Sequence, residues 1–352
     1  MATILGVAAA ATVFLFGDLA AFKVTPAVLW MMALLIWIAA SSAWSVNPRA
    51  LDSVLLWIAM GMMFIAVLQV VQTANQLRVI AIGYLVGAFS ASIRLLIEQA
   101  RLDIQGAVRL TTIFGDVNIN YVAYALAAGW ALLVLLWDSR RKGSAVATIL
   151  MAVAAVGVLI GIQTSQTRGA LLGTVFAAAW IVLRRLFGLR SLAIPTLAVV
   201  TAAALALSGI GDQSSLQFEA GGRATGDWSG RIPLWDAART IWALRPLVGF
   251  GVGSFGHVSG YGIAAHNVLL DIGVGLGVVG VLLFIAVLVS CLWLGTRSAP
   301  QVLRSEVIGV FLAASSPAYL TGVWATAPAA WICLALVARI GVVHPPDSAA
   351  VR

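Results

Sequence analysis

SGRIPLWDAARTIWALRPLVGFGVGSFGHVSGYGIAAHNVLLDIGVGLGVVG, residues 229–280, passes from a polar, glycine-punctuated segment straight into a long apolar run. It carries Arg231, Arg239 and Arg245, His257 and His266, and Asp236 and Asp271, in a chain that is otherwise greasy. Of 352 residues, 62% are apolar and 10% charged, and the mean hydropathy is +1.03. A chain of this composition has too little polar surface to cover a water-soluble core. It reads as an all-α polytopic membrane protein. No segment is long and polar enough to build a separate soluble core, so residues 1–352 are expected to form a single transmembrane domain.

Working outward, apolar runs near membrane-crossing length fall at 4–22, 26–43, 51–71, 78–97, 118–137, 145–163, 169–183, 191–209, 267–295, 305–322 and 327–343. That makes about eleven spans, within a range of about 10–12. The apolar start has no basic n-region and no clear small-residue cleavage site, so it is read as the first span rather than a signal peptide. Two connections are basic, one with Arg140, Arg141 and Lys142 and one with Arg184, Arg185 and Arg190. They lie two crossings apart and share a side, which the positive-inside rule makes cytoplasmic. The parity of the spans then places Gln163 to Arg168, Glu98 to Asn118 and the long loop 211–265 on the opposite, periplasmic face.

Within that loop, residues 209–226 read as irregular. Pro233 to Arg245 reads as a short helix: Pro233 suits a first turn and Arg245-Pro246 ends it. Trp235, Ala238, Ile241 and Trp242 recur at helical spacing, an apolar stripe expected to lie at the membrane interface. The formal charge of +8 fits anionic lipid head groups better than nucleic acid, because the cations sit between apolar spans. Cys291 and Cys333 lie inside apolar spans without metal or disulfide spacing and read as core residues.

The glycines at 251, 253 and 256 form a formal GxGxxG match, but neither a preceding strand nor an alternating β–α unit accompanies it, which argues against a dinucleotide site. The readings that remain are a tight turn letting the backbone approach a ligand closely and a merely flexible return into the membrane. His266, at the start of the next span, is either a satisfied structural group or a general base, its ordinary value near 6.5 suiting the latter. Arg101, Arg109, Arg168, Arg223, Arg231, Arg239 and Arg245 all fall on the outer face. Converging guanidiniums would make a diphosphate site. Arg239 and Arg245 read instead as side chains reaching for lipid head groups. Arg168, at the junction of two apolar spans, is costly unless paired or bound. No DxD or HExxH pairing is present.

AWSVNPRALDSVL, Arg109 with FGDVNIN, TSQTRGALLG, SGR with Trp235, the Pro246 and GFGVGSF turn, and HN with Gly277 and Gly280 occur in this order between Ser41 and about Leu283. In this ordered set the chain resembles the O-antigen ligase and polymerase superfamily of bacterial envelope glycosyltransferases. The resemblance implies an inverting C-type glycosyltransferase that takes a glycan from undecaprenyl diphosphate at the outer face of the inner membrane, with no metal, cofactor or nucleotide sugar. On matching positions it implies His266 as the base, Arg168 and Arg231 as diphosphate ligands and Arg109 as an accessory contact. The further candidate substrate contacts are Asn118, Arg223, Gly251, Gly253, Asn267 and Asp271. Where relatives commonly carry an aromatic residue and a glutamate after HN, this chain has Leu269 and Gly275, and Asp271 is a candidate for the orienting role. The expected partners are a lipid-linked glycan donor, a lipid or glycan acceptor and membrane lipids. Lipid A-core, a second lipid-linked repeat and a protein side chain all remain open as acceptors. A lipid-linked sugar transporter and an inactive scaffold subunit are the rival readings. A transporter would show internal repeats and interrupted helices with polar groups at mid-membrane, whereas here the polar residues collect at one face.

Overall fold

The computed structural model describes residues 22–104, 111–114, 117–139, 144–187, 231–298 and 301–342. Its helices are α1 (Pro26–Ser41), α2 (Ala50–Val70), α3 (Ala74–Ile104), α4 (Ile119–Ser139), α5 (Ala145–Ser165), α6 (Arg168–Phe187), α7 (Arg231–Leu244), α8 (Phe255–Val258), α9 (Val268–Ser298), α10 (Gln301–Thr321) and α11 (Pro328–Ala338). Among the described residues the only strands form a small antiparallel hairpin, β1 (Thr112–Ile113) and β2 (Val117–Asn118), just ahead of α4. Six described helices are long and apolar enough to cross a membrane, and Glu306–Thr321 and Pro328–Ala338 are shorter apolar helices. The chain is an all-α, multi-pass membrane protein. The expected spans 4–22 and 191–209, the basic residues 140–142 and the irregular stretch 209–226 lie outside the described residues.

Hydrogen bonds between helix ends show how the bundle alternates. At one pole Val46, between α1 and α2, donates to Phe250 O, Thr167 between α5 and α6 donates to Asn120 of α4, and Tyr124 of α4 meets Thr321 at the end of α10. At the other pole Arg184 of α6 pairs with Glu306 of α10 at 2.9 Å, and Arg339 donates to the Leu68 carbonyl near the end of α2. The interior between the poles is filled with large apolar side chains; Phe64, Phe284 and Trp331 form edge-to-face pairs there, with Trp57 against the same indole.

The long helix α9 is not continuous. Gly277 sits at φ 68°, ψ −169°, inside what would otherwise be one 31-residue helix. A break frees carbonyls before it and amides after it, and an unmet peptide group in apolar surroundings costs about 1–3 kcal/mol. The segment Pro246–Gly251 fills the gap. Phe250 N donates to Val274 O at 2.8 Å, Gly251 N to Gly275 O at 2.8 Å, Val278 N to Pro246 O at 2.8 Å and Val279 N to Leu247 O at 3.4 Å. Trp37 Nε1 completes the set on Leu276 O at 3.0 Å.

This arrangement accounts for the glycines of GFGVGSFG. Gly249, Gly251 and Gly253 all have positive φ. A Cβ on Gly249 would lie 2.5 Å from Gly275 O, one on Gly251 would overlap the Ser45 backbone, and one on Gly253 would lie 2.6 Å from Asn47 Nδ2 and Ser53 Oγ. At these three positions the turn approaches other parts of the chain, backbone at Gly249 and Gly251 and side chains at Gly253. This wedges the turn between α9 and the α1–α2 connection, where Ser41 Oγ accepts from Val252 N and Ser45 Oγ donates to Val252 O.

The expected helix over 233–245 is present as α7, beginning two residues earlier with Pro233 in its first turn. Its stripe is taken up by the protein itself. Leu234 and Ala238 are buried with Phe255, Ala265, Leu270 and Val274, and Trp235, Ile241 and Trp242 pack against them. Trp242 lies over Gly273, where a Cβ would sit 2.6 Å from the indole.

Replacing Gly277 by alanine forces a side chain into a backbone region that is essentially reserved for glycine, which costs about 1–3 kcal/mol, and drives its Cβ into Leu247 O. Gly277→Ala should therefore lower the thermal unfolding midpoint in detergent. Gly83→Ala, in α3 with nothing within 4 Å of the added Cβ, should leave the midpoint unchanged or raised, since alanine gains about 1 kcal/mol over glycine in a helix.

Candidate functional site

The start of α9 is shaped by two side chains. Asn267 is buried to 1% exposure and caps the helix, its Oδ1 accepting from Leu270 N at 3.1 Å. Its Nδ2 donates to Leu320 O at 3.3 Å and ties the α9 start to the end of α10. Asp271 reaches back and accepts from Ala265 N at 2.9 Å. Between these clamps His266 has φ 54°. A non-glycine residue held in that region carries strain of about 1–3 kcal/mol and persists only where the surroundings over-determine it.

His266 is half-buried. Burial and then the nearby Arg231 cation both lower its pKa below the ordinary 6.5, so the imidazole stays neutral at physiological pH. Arg231, half-buried as the first residue of α7, is itself lowered by desolvation, with Tyr124 acting in the opposite direction. It remains a cation, because an arginine does not lose its proton in proteins.

Tyr124 connects this pair to the α5–α6 junction. It is buried, its hydroxyl lies 3.1 Å from Thr321 Oγ1, and a Cβ on Gly169 would lie 2.7 Å from the same hydroxyl. Arg168, adjacent to Gly169, opens α6 and is exposed. Gln166 in the left-handed region turns the chain between α5 and α6, and Thr167 donates to Asn120 Oδ1 at 3.0 Å. Asn118, on the exposed hairpin strand β2, accepts from Asn120 N at 2.9 Å.

Of the residues singled out from sequence, the structure thus brings His266 and Arg231 together, and Arg168 precedes Gly169, which packs against Tyr124, a neighbour of Arg231. Gly251, Gly253 and Asn267 have structural partners within the chain. Arg109 and Arg223 lie outside the described residues. Arg239 pairs with Asp236, and the Arg245 guanidinium stacks over Phe250 with 4.8 Å to the ring centroid. Sequence reasoning passed over Tyr121, Tyr124, Thr167 and Thr326. The two tyrosines stand one turn apart at the start of α4, a spacing that marks one helical face.

A cavity of about 390 Å³ adjoins the His266 loop. Ala264 and Val268, two residues either side of His266, belong to its wall, with Ser53, Tyr121, Asp271 and Thr326.

No curated protein matches this chain. Residues 153–285, from within α5 to the second half of the broken helix α9, match the family model described as O-antigen ligase. The matched span contains Arg168, Arg231 and His266, and it supports placing the chain in the O-antigen ligase and polymerase superfamily.

Proposed function

We propose that this protein is an inverting glycosyltransferase of the O-antigen ligase type, moving a glycan from undecaprenyl diphosphate to the lipid A-core at the periplasmic face of the bacterial inner membrane. The observation that carries the reading is a neutral, strained His266 next to the Arg231 cation, inside the span matched by the family model. His266 takes the proton of the acceptor hydroxyl. The acceptor oxygen attacks the anomeric carbon from the side opposite the phosphate, and the carbon–oxygen bond to phosphate breaks. The electron pair leaves with the diphosphate, where Arg168 and Arg231 stabilise the developing charge. Arg109 and Arg223 are proposed as accessory contacts, and Asn118 as a donor-side neighbour of Arg168. The chemistry proposed needs no metal, since guanidiniums supply the charge. Elongation of a second lipid-linked repeat is the same chemistry with a different acceptor.

The break in α9 favours one other reading, because interrupted helices are common in transporters. The carbonyls of Val274, Gly275 and Leu276 are nevertheless met by the chain itself, which argues against a ligand site at the break. Movement of a lipid-linked sugar across a liposome bilayer without any product would identify the transporter.

Purified protein supplied with undecaprenyl diphosphate-linked oligosaccharide and lipid A-core in EDTA should release undecaprenyl diphosphate and enlarge the acceptor. His266→Ala and Arg168→Ala should each lower the rate about a hundredfold or more, and wild-type transfer rates in His266→Ala would remove the base from the mechanism. The base must be neutral to act, and the folded protein lowers its pKa. Activity should therefore persist below pH 6.5 and fall only as pH drops through the lowered value. In Arg231→Gln one of the two lowering influences is gone, so the acid limb of the residual kcat/KM profile should move upward towards 6.5. An acid limb already at 6.5 in the wild type, or unmoved by Arg231→Gln, would contradict the electrostatic assignment.

A further inference from the structure

We infer that the cavity adjoining the His266 loop is a binding site for a neutral, hydroxyl-bearing ring, such as the sugar end of a glycan. Its volume of about 390 Å³ falls within the usual range for small-ligand sites, about 300–1,000 Å³.

The lining chooses the chemical class. Asp271 contributes a carboxylate of which one oxygen is occupied by Ala265 N, while Oδ2 is buried and has no hydrogen-bond partner among the described residues. Hydroxyls of Tyr121, Thr326 and Ser53 come from three other elements. Among the described residues the cavity is lined by Asp271 and His257 and by no lysine or arginine, so it lacks the permanent cations that would hold a phosphate or carboxylate ligand. A purely apolar ligand would leave the buried Asp271 Oδ2 without a partner, at about 1–3 kcal/mol. A polyol satisfies both conditions: its hydroxyls exchange hydrogen bonds with the carboxyl group and with the neighbouring hydroxyls. Its apolar CH face rests against the aromatic walls of Trp57 and Phe255.

The location gives the site its use. The wall residues Ala264 and Val268 flank His266, whose electrostatic partner is Arg231. The Arg231 guanidinium and a cavity without lysine or arginine among the described residues therefore adjoin the same histidine. The assignment of this cavity to the acceptor rests on the transferase reading; the capacity to bind a sugar does not.

Saturation-transfer NMR on the purified protein in a detergent without sugar head groups tests the inference without any donor. The probes are the methyl glycosides of glucose, galactose and N-acetylglucosamine. At least one should receive saturation at its ring protons. The signal should fall at least threefold in Thr326→Phe, which fills the cavity, and in Tyr121→Phe, which removes one hydroxyl with little change of shape. Gly83→Ala should keep the full signal. Absence of transfer to all three glycosides in the wild type, or signals at the wild-type level in both cavity variants, would overturn the inference. Sugar binding without glycosyl transfer would leave the cavity standing and count against the transferase, and transfer without sugar binding would do the reverse.

Discussion

The structure depends on a repaired break. A helix inside a membrane protein satisfies its own backbone, and an interruption at Gly277 would strand peptide groups where water cannot reach them. Pro246–Gly251 supplies the missing partners on both sides of the break, so a loop that looks like a connection behaves as part of the packed interior. The constraint propagates. The loop can only enter if Gly249, Gly251 and Gly253 lack side chains, and once inserted it locks the α1–α2 connection through Ser41 and Ser45.

The insertion also sets the stage for the polar pole. Because the loop is anchored on Val274 to Val279, the first two turns of α9 are held apart from the rest of that helix and packed under α7. Arg231, at the start of α7, is thereby delivered next to His266, at the start of α9. The histidine is neutral for two reasons that share a cause, since burial removes water and brings the guanidinium close. A cation and a neutral base in one water-poor corner are more useful to a departing anion and an arriving hydroxyl than either would be alone.

Much of this was visible in the residues, and the misses share a physical origin. Apolar length placed the described helices, the proline and tryptophan spacing placed α7 within two residues, and the HN pair marked the start of α9. The stripe on α7 was legible as a stripe, but amphipathicity does not say whether lipid or protein covers it. The break was hidden because Gly273, Gly275, Gly277 and Gly280 lie in an apolar run that remains compatible with an unbroken helix. What decides it is a partner segment about thirty residues earlier, and no local pattern encodes that pairing. For the same reason the sequence leaves open what the glycine turn approaches: Gly251 and Gly253 meet Ser45, Asn47 and Ser53, and Gly253 and Gly256 also border the cavity. Tyr121, Tyr124 and Thr326 were overlooked because hydroxyls on apolar helices carry no charge signature, and their convergence exists only after folding.

The account stands or falls on the inserted loop, and amide hydrogen exchange reads it directly. Phe250, Gly251, Val278 and Val279 should exchange slowly and together, at rates like those of their neighbours within α9, because each donates across the break. Rapid exchange of Phe250 and Gly251 at the rate of an open loop, with Val278 and Val279 following, would show that the break is not filled and would contradict the placement of His266 and Arg231 that depends on it.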